Sequence, residues 1–194
     1  EVLGVKTDAV VEPVAQHALR VTENTIQYLN ETDIRKAVDL LLGARSIVFL
    51  GVGTSGSIAY EGMLEFMRIG LNSIYHADTH AQTMHTALLG EQDVVVALSH
   101  SGSTKDVLTS AKIAKEVGAK LICITGSYRT PLSRLADVNL IASKGEPTIV
   151  SSFLPAIGQL IALECIFTGC MEKLGPAAQN NINRTARTIL SRIY

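Results

Sequence analysis

Two short stretches concentrate the side chains that could do chemistry. Ser99-His100-Ser101-Gly102-Ser103-Thr104 sets four hydroxyls around one glycine, directly after the apolar run Val94–Leu98 and just before a stretch of helical spacing that begins near Lys105. A helix start carries unpaired backbone N–H groups and the positive end of the helix dipole, both of which favour an anion. Hydroxyls at 99, 101 and 103, with Thr104 one turn on, can donate several hydrogen bonds to one phosphate without bringing a full positive charge. An ordinary Ser/Thr cap and turn is the plainer alternative, but one hydroxyl would satisfy it. The pattern predicts a phosphate cradle.

The second stretch, Gly51-Val52-Gly53-Thr54-Ser55-Gly56, follows the strand-like Ile47–Leu50 and opens a helix, which is the context of a GxGxxG dinucleotide loop. A nicotinamide cofactor would also need an acidic residue at the end of the second strand to hold its ribose, and the nearest, Asp78, sits slightly late. Thr54 and Ser55 place hydroxyls in mid-loop, suited to a terminal phosphate more than to a pyrophosphate, which mainly wants bare backbone.

The surrounding elements must hold both loops at one edge of a sheet. Helical spacing covers Val10–Leu29 and Ile34–Leu42, with Asn30 and Asp33 where a turn and an N-cap belong. Short runs rich in β-branched residues then alternate with amphipathic stretches: Ser46–Leu50 with Ser57–Ile69, Ser73–Tyr75 with Thr79–Leu89, and Val94–Leu98 with Thr104–Val117. Leu121–Thr125, Pro131–Leu135, Val138–Ile141 and a final pair of helices complete the series. Val94–Leu98 and Leu121–Ile124 are continuously apolar, as in parallel strands covered on both faces. Gly70, Gly90 and Gly118 each follow a helical run where a left-handed C-terminal residue is wanted. The fold class is therefore α/β, a parallel sheet with helices on both faces, whose ligands bind beyond the carboxyl ends of the strands.

Composition narrows the function. The 194 residues are 47% hydrophobic and 18% charged, with 17 basic and 18 acidic side chains and a net charge of −1. That is material for one domain with a sizeable core, and no surplus of positive charge awaits DNA or an anionic membrane. The mean hydropathy of +0.26 draws attention to Leu154–Met171, but Glu164 near its centre favours a helix buried in a core or a subunit contact over one spanning a bilayer. Cys123, Cys165 and Cys170 form no metal pattern and read as reduced core thiols, consistent with a cytoplasmic protein. The chain begins at Glu1, with neither an initiator Met nor a signal segment, which suggests a piece of something longer.

Other polar residues carry weaker signals. His76, His80 and His85 surround Asp78, but no HExxH is present and the spacing of His80 and His85 aligns them poorly, so no metal is assigned. Asp78 and His80 follow the second strand's carboxyl end and could read sugar hydroxyls; helix capping by Asp78 with an exposed His80 is equally open. Arg129, at the end of the fourth strand, could add charge to the same crevice, although a loop Arg is more commonly solvent-exposed.

Together, the GxGTS loop, the SHSGST loop, Ala119–Thr125 and Ser133-Arg134-Leu135-Ala136-Asp137 resemble a sugar isomerase (SIS) domain, a phosphosugar-binding module of five parallel strands between helices in a three-layer α/β/α, flavodoxin-like arrangement. Met67–Gly70, Asp78-Thr79-His80 and the His at the second position of the SHSGST loop look most like the effector domain of RpiR-type bacterial transcriptional regulators. The resemblance covers roughly residues 32–193. It implies one SIS domain over 1–194, with 1–31 as connector and leading helix and 32–194 as the α/β sandwich. It also implies phosphate binding by Ser55, Ser99, Ser101 and Thr104, with backbone from Gly53, His100, Gly102 and Ser103. Glu146 and Ser152, in a segment resembling the family's loop over the ligand, are further candidate sugar contacts, beside the simpler reading of a turn and an N-cap. The implied protein senses a phosphosugar without cofactor or catalysis, controls sugar-metabolism genes, and forms a homodimer or homotetramer through its helices. It meets DNA only through a helix-turn-helix domain N-terminal to this module. The alternative within the same superfamily is an aldose–ketose phosphosugar isomerase: the resemblance implies that its arabinose-phosphate isomerases carry an acidic residue and a His in the segment corresponding to Asp78–His80, and His80, Glu65 or Glu146 could then supply the base.

Overall fold

Strand runs that are apolar at every position are buried on both faces, and β1 (Ser46–Leu50) and β3 (Asp93–Leu98) have no exposed residue. They form the middle of a five-stranded parallel sheet with β2 (Ser73–Tyr75), β4 (Lys120–Thr125) and β5 (Val138–Ile141), in the order β2-β1-β3-β4-β5. Register is continuous across the centre: Ile47 pairs with Val94, and Val94 in turn with Lys120. The computed structural model describes residues 9–145 and 153–190.

Alternate residues of the strands feed two separate cores. Ile47, Phe49, Val96, Ile122 and Leu140 join the larger cluster, to which α2 (Glu31–Leu42), α3 (Thr54–Arg68) and α6 (Phe153–Leu174) contribute Val38, Leu41, Ala59, Phe66, Leu163 and Ile166. Val48, Leu50, Val95, Ala97, Leu121 and Cys123 face the other way, onto Val107, Ala111 and Ala114 of α5 (Lys105–Glu116) and onto Leu132. Helices thus cover both faces in three layers, as the strand pattern predicts. The remaining helices, α1 (Val11–Tyr28), α4 (Thr79–Thr86) and α7 (Pro176–Leu190), pack outside these, α1 on α6, α4 on α5, and α7 on α3 and α6.

Among the described residues, α6 alone is long and apolar enough to cross a bilayer. It lies against α1, α2, α3 and α7, burying Ala162, Leu163, Ile166 and Cys170, while Glu164 is exposed. Burial pushes the Cys170 thiol up to about 12, so it is an inert apolar side chain.

The amino edge of the sheet is fastened by charge. Asp93, fully buried, receives Arg45 Nε and Nη2 at 3.0 and 2.6 Å and the Gly90 N–H at 2.9 Å. The Arg45 guanidinium, helped by the Gly90 N–H, holds the Asp93 carboxyl below the usual carboxylate range against the opposing effect of burial. Asp137, before β5, takes Lys115 Nζ at 2.7 Å and the Leu121 N–H at 2.8 Å.

Three expectations are corrected. The fourth helix ends at Thr86 instead of near Leu89, because Ala87 already closes it. Gly90 consequently lies in a turn, donating to Asp93, and does not take the positive φ that Gly70 (+97°) and Gly118 (+86°) do. Residues 131–135 form turns, anchored by reciprocal bonds in which the Ser133 N–H donates to Thr130 Oγ1 at 3.0 Å and the Thr130 N–H to Ser133 Oγ at 2.9 Å.

Candidate functional site

The chain runs from β1 outward to β2 and then returns to β3 on the other side of β1, so the loops leaving β1 and β3 diverge to opposite faces and leave a crevice at the sheet's carboxyl edge. The two hydroxyl-rich stretches are these two loops. They enclose a cavity of about 190 Å³, with Thr54 and Ser55 on one side, Ser99, Ser101 and Thr104 on the other, and Val52, Leu98 and His100 completing the lining.

Two helices begin at this cavity, and neither is closed by its own N-cap side chain. The N-cap of α3 is Gly53, at φ +61° and ψ −134°, and that of α5 is Thr104, whose side chain makes no capping bond. By contrast Asn30 caps α2 by accepting from the Asp33 N–H, and Asp78 caps α4 by accepting from the Ala81 N–H at 2.8 Å. Thr104 Oγ1 lies 3.2 Å from Ser99 Oγ instead, so it joins the hydroxyl cluster. Two dipole ends and several neutral donors around a small polar cavity suit an anion the size of a phosphate.

The second loop has a tightly determined shape. Gly102 has φ +58°, and a Cβ there would fall 2.2 Å from Thr130 Oγ1 and 2.4 Å from Thr130 Cβ, so glycine is needed for both conformation and space. The Gly102 N–H donates to the Ser99 carbonyl at 2.9 Å, and the Gly102 carbonyl accepts from the Leu132 N–H at 3.1 Å. Ser101 Oγ accepts from the Ser103 N–H at 3.3 Å, and Ser103 Oγ donates back to the Ser101 carbonyl at 3.2 Å. Ser103 and Gly102 therefore shape the loop from outside the cavity lining. The His100 carbonyl accepts from the Gly126 N–H at 2.8 Å, and its ring packs so closely on Gly126 that a Cβ there would meet His100 Cε1 at 2.6 Å.

Three residues support the cavity that spacing alone does not single out for it. Thr130 presses against Gly102. Gln82, buried on α4, donates from Nε2 to the Gly51 carbonyl at 3.0 Å and to the His76 carbonyl at 2.8 Å, fixing the start of the first loop. Gln159, buried on α6, donates from Nε2 to Ser55 Oγ at 3.1 Å. For Gln159 the visible signal is one amide in an apolar helix; Gln82 and Thr130 carry none without the fold.

Asp78 and His80 are exposed and lie outside the cavity lining. Asp78 Oδ1 is engaged as the α4 cap. His76 Nε2 and His85 Nδ1 lie 2.8 Å apart, and burial, reinforced by His76, pushes the His85 imidazole below its usual pKa. Among the described residues no three His, Cys, Asp or Glu side chains are grouped to hold a metal. Glu146 and Ser152 lie outside the described residues.

A larger groove of about 850 Å³ runs between α2 and α6. Leu29, Ile34, Val38 and Cys165 line it, with Glu31, Arg35 and Glu172 among its charged groups.

Comparison with known proteins fits this geometry. An uncharacterized HTH-type transcriptional regulator of Caldanaerobacter subterraneus is 34% identical over 160 residues, covering 82% of this chain and 57% of the relative. HTH-type transcriptional regulator RpiR of Escherichia coli K12 is 32% identical over 181 residues, covering 93% of this chain and 61% of the relative. The chain thus spans about three fifths of the length of these relatives. Vibrio vulnificus NanR, solved in complex with ManNAc-6P, superposes with a TM-score of 0.90 at 24% identity, over 96% of this chain and 71% of that one, which establishes a shared fold. Residues 40–169 match the SIS domain, and the chain belongs to the SIS domain family.

Proposed function

We propose that this chain is the phosphosugar-sensing domain of an RpiR-type bacterial transcriptional regulator, with 1–31 as connector and leading helix and 32–194 as the α/β sandwich. The observation that carries the reading is the convergence of Ser55, Ser99, Ser101 and Thr104 on one cavity at the starts of α3 and α5. These groups hold the phosphate, with backbone of Gly53, His100, Gly102 and Ser103 nearby. Asp78 and His80, with Glu146 and Ser152, are candidates for the sugar end.

Neutral donors and helix dipoles bind an anion and transfer no proton by themselves. The cavity lining combines hydroxyls with the His100 imidazole, and the reading as a sensor without catalysis of its own rests on the likeness to transcriptional regulators. The domain acts in the bacterial cytoplasm as a homodimer or homotetramer, and DNA is met through the HTH part of a longer protein. Ligand occupancy biases the arrangement of the subunits and hence the spacing of the DNA-binding heads.

Thermal shift with a panel of sugar phosphates, paired with an NMR assay of aldose–ketose interconversion, tests this. At least one sugar phosphate raises the Tm and none is turned over. Indifference to the whole panel contradicts the sensor, and sustained turnover abolished by His80→Ala establishes the isomerase in its place.

A further inference from the structure

We propose that Gln159 is a positioning residue that aims the Ser55 hydroxyl at the bound anion and passes occupancy of the cavity to α1; the inference rests on the phosphosugar-binding reading. Gln159 is the one buried polar side chain of α6, in a helix otherwise given to apolar packing, and an amide so placed is costly unless it is bonded. Its Nε2 donates to Ser55 Oγ at 3.1 Å. A hydroxyl has one proton to give. Because the amide fills an acceptor site on Ser55 Oγ, that proton stays available for an acceptor in the cavity.

The preceding residue makes the link onward. Gly158 is wedged against two other elements: a Cβ there would lie 2.1 Å from Ser143 Oγ and 2.6 Å from Thr25 Oγ1. Thr25 belongs to α1, is fully buried, donates to the Val21 carbonyl at 2.8 Å and accepts from the Ser143 N–H at 3.0 Å. Ser143 Oγ donates to the Pro155 carbonyl at 3.0 Å, and Ser143 itself takes a positive φ of 54°, a conformation that non-glycine residues hold only where their surroundings fix it. The junction of α6 with α1 therefore has no slack. A displacement of Gln159 when an anion draws on Ser55 moves the Gly158 backbone, and Thr25 must follow.

Inorganic phosphate is the probe, read by calorimetry for affinity and by hydrogen exchange for α1. Ser55→Ala and Gln159→Met each weaken phosphate by about fivefold, the scale of one hydrogen bond. The double variant loses no more than about a further twofold, because both changes remove the same interaction. Gln159→Glu, which turns the donor into a charged acceptor, weakens binding more than Gln159→Met. Phosphate slows amide exchange around Thr25 in the parent, but not in Gln159→Met at saturation. Ser55→Ala, which leaves α6 intact, abolishes the same response and keeps the inference testable if the α6 variants fail to fold.

Additive losses, unchanged affinity in Gln159→Met, or an α1 response that is absent from the saturated parent or survives in the saturated variants overturns the proposal. If phosphate binds and Ser101→Ala weakens it while Gln159→Met does not, this inference alone falls. A parent that takes up no phosphate overturns this inference, and one that takes up neither phosphate nor any sugar phosphate removes the phosphosugar reading with it.

Discussion

The two edges of the sheet handle charge in opposite ways. At the amino edge, Asp93 and Asp137 are matched to Arg45 and Lys115 and to backbone N–H groups, so ionised groups fasten strands and helices together. At the carboxyl edge, between the β1 and β3 loops, the cavity is lined by hydroxyls and by helix starts that their N-cap side chains leave open. A site built from neutral donors can hold and release an anion without leaving an uncompensated buried charge when empty. Stability should therefore respond to the first edge and binding to the second.

Asp93→Ala gives the largest expected effect. It removes three hydrogen bonds to a buried carboxylate, two of them from Arg45, and costs about 3 kcal/mol in denaturant unfolding. Sugar-phosphate affinity stays within about twofold of the parent at temperatures where the variant is folded. A matching loss of affinity would show that the edges are not independent.

Gly102→Ala crosses the boundary between them. The positive φ and the approach to Thr130 make it cost about 2 kcal/mol of stability, while the displaced Ser101 and Ser103 cost about tenfold in sugar-phosphate affinity. Thermal denaturation and titration of the same sample report both.

Smaller effects separate the windows of acid sensitivity. The folded His85 imidazole binds its proton more weakly than the unfolded one, so stability is complete above the unfolded value of about 6.5 and declines as pH falls below it. Asp93 has a depressed folded pKa, so its contribution is present above about 3.8 and is lost as pH falls through the folded value. Tm measured against pH should decline in two stages, and His85→Gln should remove the first while leaving the second. A single decline confined to the lower range would contradict the role of His85.

How much was legible in the sequence follows the same physics. Val94–Leu98 and Leu121–Ile124 declare buried parallel strands because helices on both faces leave no polar side to show, and all five strands lie within a residue of their expected limits. The hydroxyl loops were legible because a helix start after a parallel strand has a known place in the fold. Gln82 and Thr130 were not, since their partners Gly51 and Gly102 lie 31 residues away in one case and across a separate turn in the other, and periodicity says nothing about such pairings. The end of α4 is hidden in the sequence because the apolar Leu88 and Leu89 continue a helical pattern although the helix closes at Ala87, ahead of the turn in which the Gly90 N–H donates to Asp93.

The convergence of the two loops on one anion is tested most directly by calorimetric titration of a sugar-phosphate panel into the parent, Ser101→Ala and Thr104→Ala. The expected result is that a sugar phosphate bound by the parent is bound about tenfold more weakly by each variant, with Tm in the unliganded state lowered by no more than about 4 °C. Equal affinity of all three proteins for every sugar phosphate that the parent binds would contradict it.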